Sequence, residues 1–188
     1  MKRRLSILWQ RNIAIKRRLA RLHRGCKAPI RGARPAMTLR YAVWSFLSAT
    51  LGILAIGEIT VLVGHPLLIG SFGASAVLLF GATDSPLAQP RNLVGGHLVS
   101  AAVAVAVVAL LGSTPLSMAI GVGLAIFAMN LSHTTHPPGG ATALIGVQGA
   151  VGPAFILLPV LAGTLVLLAM AIFTNNVVYH RSYPKHWL

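Results

Sequence analysis

The residues best equipped for chemistry lie in one stretch, His133-Thr134-Thr135-His136-Pro137-Pro138-Gly139-Gly140. Imidazoles donate, accept and titrate near neutral pH, hydroxyls of Thr134 and Thr135 donate, and Gly139 and Gly140 let backbone approach a ligand closely. Two prolines prevent the preceding residues from continuing a helix, and Pro137 fits the first turn of a new one. A helix restarting here presents free N–H groups and the positive end of its dipole, which suits an anion. A second interruption, from His65 through Ser71 to Gly73, offers the same materials. The expected chemistry is weak, partly neutral coordination of a small anion by His136, Thr135, Thr134, His133, Gly139, Gly140, Ser71, Gly73 and His65, because an ion held by a buried arginine would not leave.

Other chemistries fit less well. His133 and His136, three apart, could bind a metal, but a hydrolytic site would bring carboxylates or cysteines, and the chain has two acids, Glu58 and Asp84. No phosphate-binding G-x-x-x-x-G-K-[ST] loop is present. The reading is therefore not an enzyme, with no metal and no cofactor. Either histidine alone could equally satisfy carbonyls freed by the double proline; as a unit, irregular polar backbone in a membrane domain is tolerated mainly against protein or a water-filled cavity.

The elements that must position this loop are membrane spans. With 55% hydrophobic and 10% charged residues over 188 positions, the composition is that of a polytopic all-α membrane protein. Tyr41–Val63 reads as the first span, with Tyr41 and Trp44 as interfacial anchors. Glu58, near its far end, is either a gating or coupling group or a carboxylate reaching the interface. Leu67–Ala82 is short: 16 residues reach about 24 Å against a hydrocarbon core of about 30 Å. Residues 83–92 form a polar connector in which Asp84 and Arg91 either pair with each other or serve gating. Leu93–Leu111 is a full span whose Gly96, Ser100 and Ala104 make a small-residue stripe for close packing, with His97 near its start. A further span runs from Pro115 through Leu131, a short helix covers Gly139–Ala150, and a long span runs from about Ala154 to Val178.

Residues 1–40 form a basic arm carrying 13 of the 16 Lys and Arg and no acid. Leu5, Leu8, Trp9, Ile15, Leu19 and Leu22 recur near helical spacing, as in an amphipathic helix on an anionic membrane surface. Beside membrane spans, such an arm reads as a topology and lipid signal before a targeting peptide or a nucleic-acid contact, so no nucleic-acid partner is expected. Translation starting at Met37 would remove it altogether. The single cysteine, Cys26, lies in the arm and leaves the redox compartment open. Residues 179–188 read as a cytoplasmic tail.

Shifting the chain by 67 residues lays Gly73-Ala74-Ser75-Ala76-Val77-Leu78 on Gly140-Ala141-Thr142-Ala143-Leu144-Ile145, and Gly96, Leu98 and Val99 on Gly163, Leu165 and Val166. Two repeats follow, about 41–111 and 115–178, each with two long spans and one short helix, the pattern of a binding site between short segments. If the short helices cross, the repeats are inverted; if they are re-entrant, the repeats are parallel. Both arrangements put the two termini on one side, which the basic residues make cytoplasmic, and Arg91 leans toward six crossings. The small-residue faces permit self-association as well as packing within one chain.

At His136-Pro137-Pro138-Gly139-Gly140-Ala141-Thr142-Ala143 the chain resembles the HPP family of integral membrane proteins, named for that tripeptide. Gly70-Ser71-Phe72-Gly73-Ala74-Ser75, the run Ser85-Pro86-Leu87-Ala88-Gln89-Pro90-Arg91-Asn92 and Gly95-Gly96-His97 resemble that family's first half. The resemblance covers roughly residues 40–178 and omits the arm. It implies a domain of four transmembrane helices, with both short segments re-entrant. It also implies a link to nitrite transport, known for plant and cyanobacterial members. Some relatives add a C-terminal regulatory domain, for which this chain is too short. Expected, then, is a transporter or channel for a small monovalent anion, nitrite first, in a bacterial inner membrane. The alternative is an accessory membrane protein without transport.

Overall fold

The computed structural model describes residues 38–178 and 182–187. The basic arm and Cys26 lie outside the described residues apart from Thr38–Arg40. Among the described residues every regular element is helical: α1 Leu39–Val63, α2 Gly70–Ala76 continued by a wide turn Val77–Gly81, α3 Pro90–Leu111, α4 Pro115–Leu131, α5 Pro137–Gln148 and α6 Ala162–Phe173, with wide turns Ile156–Leu161 before it and Thr174–Val178 after it.

Local chemistry sets most of these boundaries. Thr38 caps α1, its hydroxyl accepting from Tyr41 N, and Gly64 ends it in the left-handed region at φ 68°. α3, α4 and α5 each begin with proline at the first helical position, where a missing N–H costs no helix bond. Thr114 and Ser117 add a reciprocal capping pair at the start of α4. The last pass, expected as one unbroken span, is interrupted: Leu158 is extended (φ −129°, ψ 117°) before Pro159, the backbone that proline imposes on its predecessor.

Hydrogen bonds show how the passes run. Tyr41 Oη donates to Gly81 O (2.6 Å) and Ser45 Oγ to Phe80 O (2.7 Å), while at the other end of α1 Leu67 N donates to Thr60 Oγ1 (3.1 Å). Residues 67–81 therefore run antiparallel to α1 over nearly its whole length. At the second short helix, Asn92 Nδ2 donates to Thr135 O (2.7 Å) near the start of α3, and Ser113 Oγ donates to Gln148 O (3.3 Å) beyond its end. α5 with its leading loop thus runs parallel to α3 from end to end. Asn175 Nδ2 returns to Leu79 O (3.1 Å), so the last pass ends beside the start of α1. Each of these helical segments thus runs between the two ends of the bundle. Leu39–Val63, Pro90–Leu111 and Ile156–Val177 are long and apolar enough to cross a membrane by themselves. Only 17% of the most apolar window of α1 is buried, so most of its apolar surface is exposed, as on a helix made to face lipid.

α1, α2 and α6 enclose one core around Ile56, Phe72, Leu79, Phe80 and Leu167. α3, α4 and α5 pack on one another through the small-residue stripe: a Cβ on Gly139 would lie 2.8 Å from Ser100 Oγ and 2.9 Å from Gly96 O, and one on Gly146 2.7 Å from Ala104 Cβ. α2 bridges the two groups, touching α5 as well as α1 and α6.

The polar connector departs from the expected pairing. Asp84 pairs with Lys185 (3.2 Å), and Arg91 Nη2 donates to Ser132 O (3.2 Å). A 3-10 turn at Pro86–Ala88 and the helix start at Pro90 separate the two residues, and each finds a partner from a distant segment. Nearby, Tyr183 is buried and donates its hydroxyl to Ala88 O (2.8 Å), Asn176 Nδ2 donates to Tyr183 O, and Lys185 N donates to Gln89 Oε1 (2.9 Å). Burial pushes the Tyr183 phenol above its ordinary range, so it stays a donor across physiological pH.

Two stability tests follow. Alanine at Gly163 would drive its Cβ into the Phe72 ring with Leu67 O 3.2 Å behind, whereas Gly123 has nothing within 4 Å. Gly163→Ala is expected to destabilise by about 1–3 kcal/mol and Gly123→Ala by less than about 0.5 kcal/mol, read as melting midpoints of purified protein; equal midpoints would refute the packing. Tyr183→Phe should lose about 1 kcal/mol through the Ala88 bond. Asp84→Asn, in a pair whose side chains are 45% and 84% exposed, should lose less than about 0.5 kcal/mol, and the reverse order would contradict the tail's role.

Candidate functional site

His136 occupies the cap position of α5 with extended backbone (φ −137°, ψ 104°), which turns its buried ring back toward the preceding elements. Its Nδ1 lies 2.8 Å from Leu87 O in the 3-10 turn. A carbonyl only accepts, so Nδ1 carries a proton and donates. The other ring nitrogen, Nε2, lies 2.9 Å from Ser75 Oγ on α2. Ser75 Oγ also lies 2.8 Å from His97 Nε2 on α3, and His97 Nδ1 lies 2.7 Å from Thr142 Oγ1 on α5. Thr142 Oγ1 donates to Ser71 Oγ (2.8 Å) and, more weakly, to Pro138 O (3.4 Å). Ser75 Oγ has a longer alternative acceptor in Ser71 O at 3.3 Å.

Five side chains from three helices thus form one continuous chain, Ser71–Thr142–His97–Ser75–His136, each no more than 1% exposed. The rings of His97 and His136 stand edge to face with centroids 4.9 Å apart, and Phe72 stands edge to face against His97 at 5.4 Å. Glycine makes the approach possible: a Cβ on Gly96 would lie 2.5 Å from His136 Cβ and 2.8 Å from Thr134 O. Ser100, one turn beyond Gly96 and fully buried against Gly139, has an Oγ with no hydrogen-bond partner. Among the described residues it is the one buried side-chain polar atom without such a partner.

The structure sorts the residues predicted from sequence. His136 and Ser71 are in the chain, and Gly139 packs beside Ser100 at its edge. Thr134 is buried but pairs with Ser132 Oγ (2.7 Å). Thr135 donates to Asn130 Oδ1 (3.0 Å). Gly140 lines a separate apolar groove of about 560 Å³ with Val122, Ile126 and Leu144, and Gly73 lines another of about 630 Å³ against α1. His133, left-handed at φ 53°, and His65 are exposed and outside the cluster, as is Glu58. Exposed His133 and buried His136 form no chelating edge.

The expected amide donors are also largely absent. Pro137 and Pro138 have no N–H, Gly139 N already donates to His136 O (2.8 Å), and Phe72 N donates to Ile69 O (3.0 Å). An anion here would meet side chains rather than a ring of free amides. Ser75, His97, Thr142 and Ser100 escaped sequence reasoning as site residues. Ser75 stands four after Ser71 and 67 before Thr142, a signal the repeat contained, while nothing local marks His97 as their shared partner.

The description "HPP, transmembrane region" fits residues 34–184. One transmembrane protein of Dictyostelium discoideum is 45% identical over 175 residues, covering 87% of this chain and 55% of the relative. A second from the same organism is 42% identical over 165 residues, covering 81% and 58%. The chain therefore spans little more than half the length of the curated relatives it matches. No solved structure matches it. The tripeptide that starts α5, the glycines that seat His136 against α3 and the match over 34–184 fall on the same domain, and the chain belongs to the HPP family of transmembrane proteins.

Proposed function

We propose that this membrane protein transports a small monovalent anion, nitrite in the first instance, through the polar cluster between its two short helices. The observation that carries this reading is a fully buried set of hydroxyl and imidazole groups, with no formal charge required, in the middle of an apolar bundle, beside a Ser100 hydroxyl without a partner. Polar groups at membrane depth are costly to keep and mark ion or substrate pathways. Neutral donors suit a carried ion because they can let it go. The donors are satisfied by one another in this conformation, so an entering ion exchanges with bonds already made, and Ser100 is the donor it meets without such exchange.

Two inverted halves, α1 to α3 and α4 to the last pass, fit this function. Ser75 and Thr142, related by the 67-residue shift, approach the two ring nitrogens of the same His97. Binding between broken helices at the junction of inverted repeats, with one half rocking on the other, is a common transporter plan. In this reading the protein has no enzymatic turnover and needs no metal, cofactor or nucleic acid. It lies in a bacterial inner membrane with both termini cytoplasmic, the side that its basic arm favours.

The test is nitrite uptake into proteoliposomes of purified protein, with nitrate, formate and chloride as competitors. Saturable uptake is expected. Thr142→Val keeps the volume but leaves His97 Nδ1 without its partner, and uptake should fall roughly 10-fold, in line with the about 1–3 kcal/mol cost of an unsatisfied buried group. Uptake equal to empty liposomes, in protein that elutes and melts as folded, would leave an accessory membrane protein as the better reading.

A further inference from the structure

The donor directions in the buried chain close in two ways that differ by one proton. In one, the single hydroxyl proton of Thr142 points at Ser71 Oγ or Pro138 O, and its oxygen accepts from His97 Nδ1–H. A neutral His97 then has a bare Nε2, which accepts the single proton of Ser75. Nothing is left to fill the 2.9 Å contact between Ser75 Oγ and His136 Nε2 except a proton on Nε2 itself. His136 Nδ1 is already protonated, because Leu87 O can only accept. That pattern is complete with one additional proton, held on His136, whereas the reverse pattern, with Ser71 donating to Thr142, closes with both histidines neutral.

We propose that His136 is the proton-loading site of the membrane core, reached through Ser71, Thr142, His97 and Ser75, and that it couples one proton to each anion carried. This rests on the transport reading above. In the unloaded state every link points the other way: Ser71 donates to Thr142, Thr142 to His97 Nδ1, His97 Nε2–H to Ser75, and Ser75 to His136 Nε2. A proton arriving at Ser71 Oγ displaces the chain by one place. Ser71 passes its own proton to Thr142, Thr142 passes its proton to Nδ1 of His97, His97 releases the proton on Nε2 to Ser75, and Ser75 gives its proton to His136 Nε2. Each oxygen and His97 ends with as many protons as before, and His136 has gained one. The resulting directions include donation from Thr142 to Ser71, across the 2.8 Å that separates the two hydroxyl oxygens.

The chain stops at His136. Its far nitrogen faces a carbonyl, which cannot take up a proton, so the relay loads a site and does not leak protons through the protein. Among the described residues the groups around His136 supply no countercharge: the 3-10 turn offers Leu87 O, α2 offers Ser75, α4 places Met129 Sδ beside Gly96, and the titratable group facing it is His97 on α3. Asp84 and Glu58, the acids of the sequence, are exposed. A cation alone in this core is costly, and so is an anion alone; together they offset one another. The carried anion is therefore the natural partner of the loaded histidine, and transport is electroneutral symport.

The experiment compares the driving forces for nitrite uptake in proteoliposomes, with empty liposomes subtracted. An inward proton gradient should stimulate uptake on the order of 10-fold, an imposed membrane potential should not, and one proton should enter per nitrite. His136→Gln offers an amide N–H to Leu87 O and an oxygen to Ser75 but cannot be loaded, and it should lose the gradient stimulation. Uptake that follows the potential, or that proceeds without proton entry, overturns the inference while leaving anion transport intact. Magic-angle nitrogen NMR of histidine-labelled protein in bilayers gives a readout that does not depend on flux. A second N–H on His136 that appears on acidification, sooner with nitrite present, supports the loading site even where no uptake is measured. An Nε2 that stays bare at every pH at which the protein is folded overturns it.

Discussion

The bond from His136 Nδ1 to Leu87 O is the contact on which the rest of the site depends. It joins a turn before α3 to the residue that starts α5, and because the acceptor is a carbonyl it fixes which ring nitrogen holds a proton. With that end fixed, Nε2 can only face Ser75, and Ser75 faces His97. The geometry needs room that side chains would fill. Gly96 lets the His136 backbone lie against α3, and Gly139 lets the first turn of α5 sit on Ser100 and Gly96 O. A methyl at either position would meet backbone, which has nowhere to move.

Lipid as solvent explains why the cluster is built this way. With no water to satisfy them, buried polar atoms must find partners within the protein, and the long, apolar outer faces of α1, α3 and the last pass leave that partnering to the interior. Hydroxyl and imidazole groups serve because each can donate and accept. Asp84, Lys185 and Arg91 lie at the end of the bundle where α1 begins, with Asp84 meeting Lys185 and Arg91 reaching Ser132 O, and Glu58 is exposed near the other end of α1. The last described residues, from Ser182 to Trp187, are held to the same turn by Tyr183, so the segment that supplies the Leu87 carbonyl is braced from outside the bundle as well.

What could be read from sequence was local. Proline at the first helical position marks the starts of α3, α4 and α5, Gly64 marks the end of α1, and the stripe Gly96, Ser100, Ala104 faces the helix it was expected to allow close. His136 stood out because a double proline follows it. His97 did not, because a histidine on a span has no local signature and its partners lie 22 and 45 residues away. Asp84 and Arg91, close in sequence and opposite in charge, read as a pair with each other or as gating groups. The intervening turn and helix start undo that proximity, and Lys185, about a hundred residues distant, takes Asp84 instead. The interruption at Leu158 was written in Pro159, but an apolar run of that length reads as continuous until the backbone is seen.

The same double proline that draws attention to the loop also decides what kind of site it can make. A helix that begins with ordinary residues offers free amides to an anion, and those donors are the same at every pH. Here the first two positions have no N–H and Gly139 N is bound to His136 O, so most of that offer is withdrawn. Donors near α5 must come from His136, His97, Thr142, Ser75 and Ser100. Hydroxyls and imidazoles differ from amides in one respect that matters: their donor directions reverse when a single proton is added. A site made from them responds to the proton as well as to the anion, whereas a site made from backbone amides responds to the anion alone. Replacing amides by prolines at the start of α5 is thus consistent with a site whose occupancy by anion and by proton is linked.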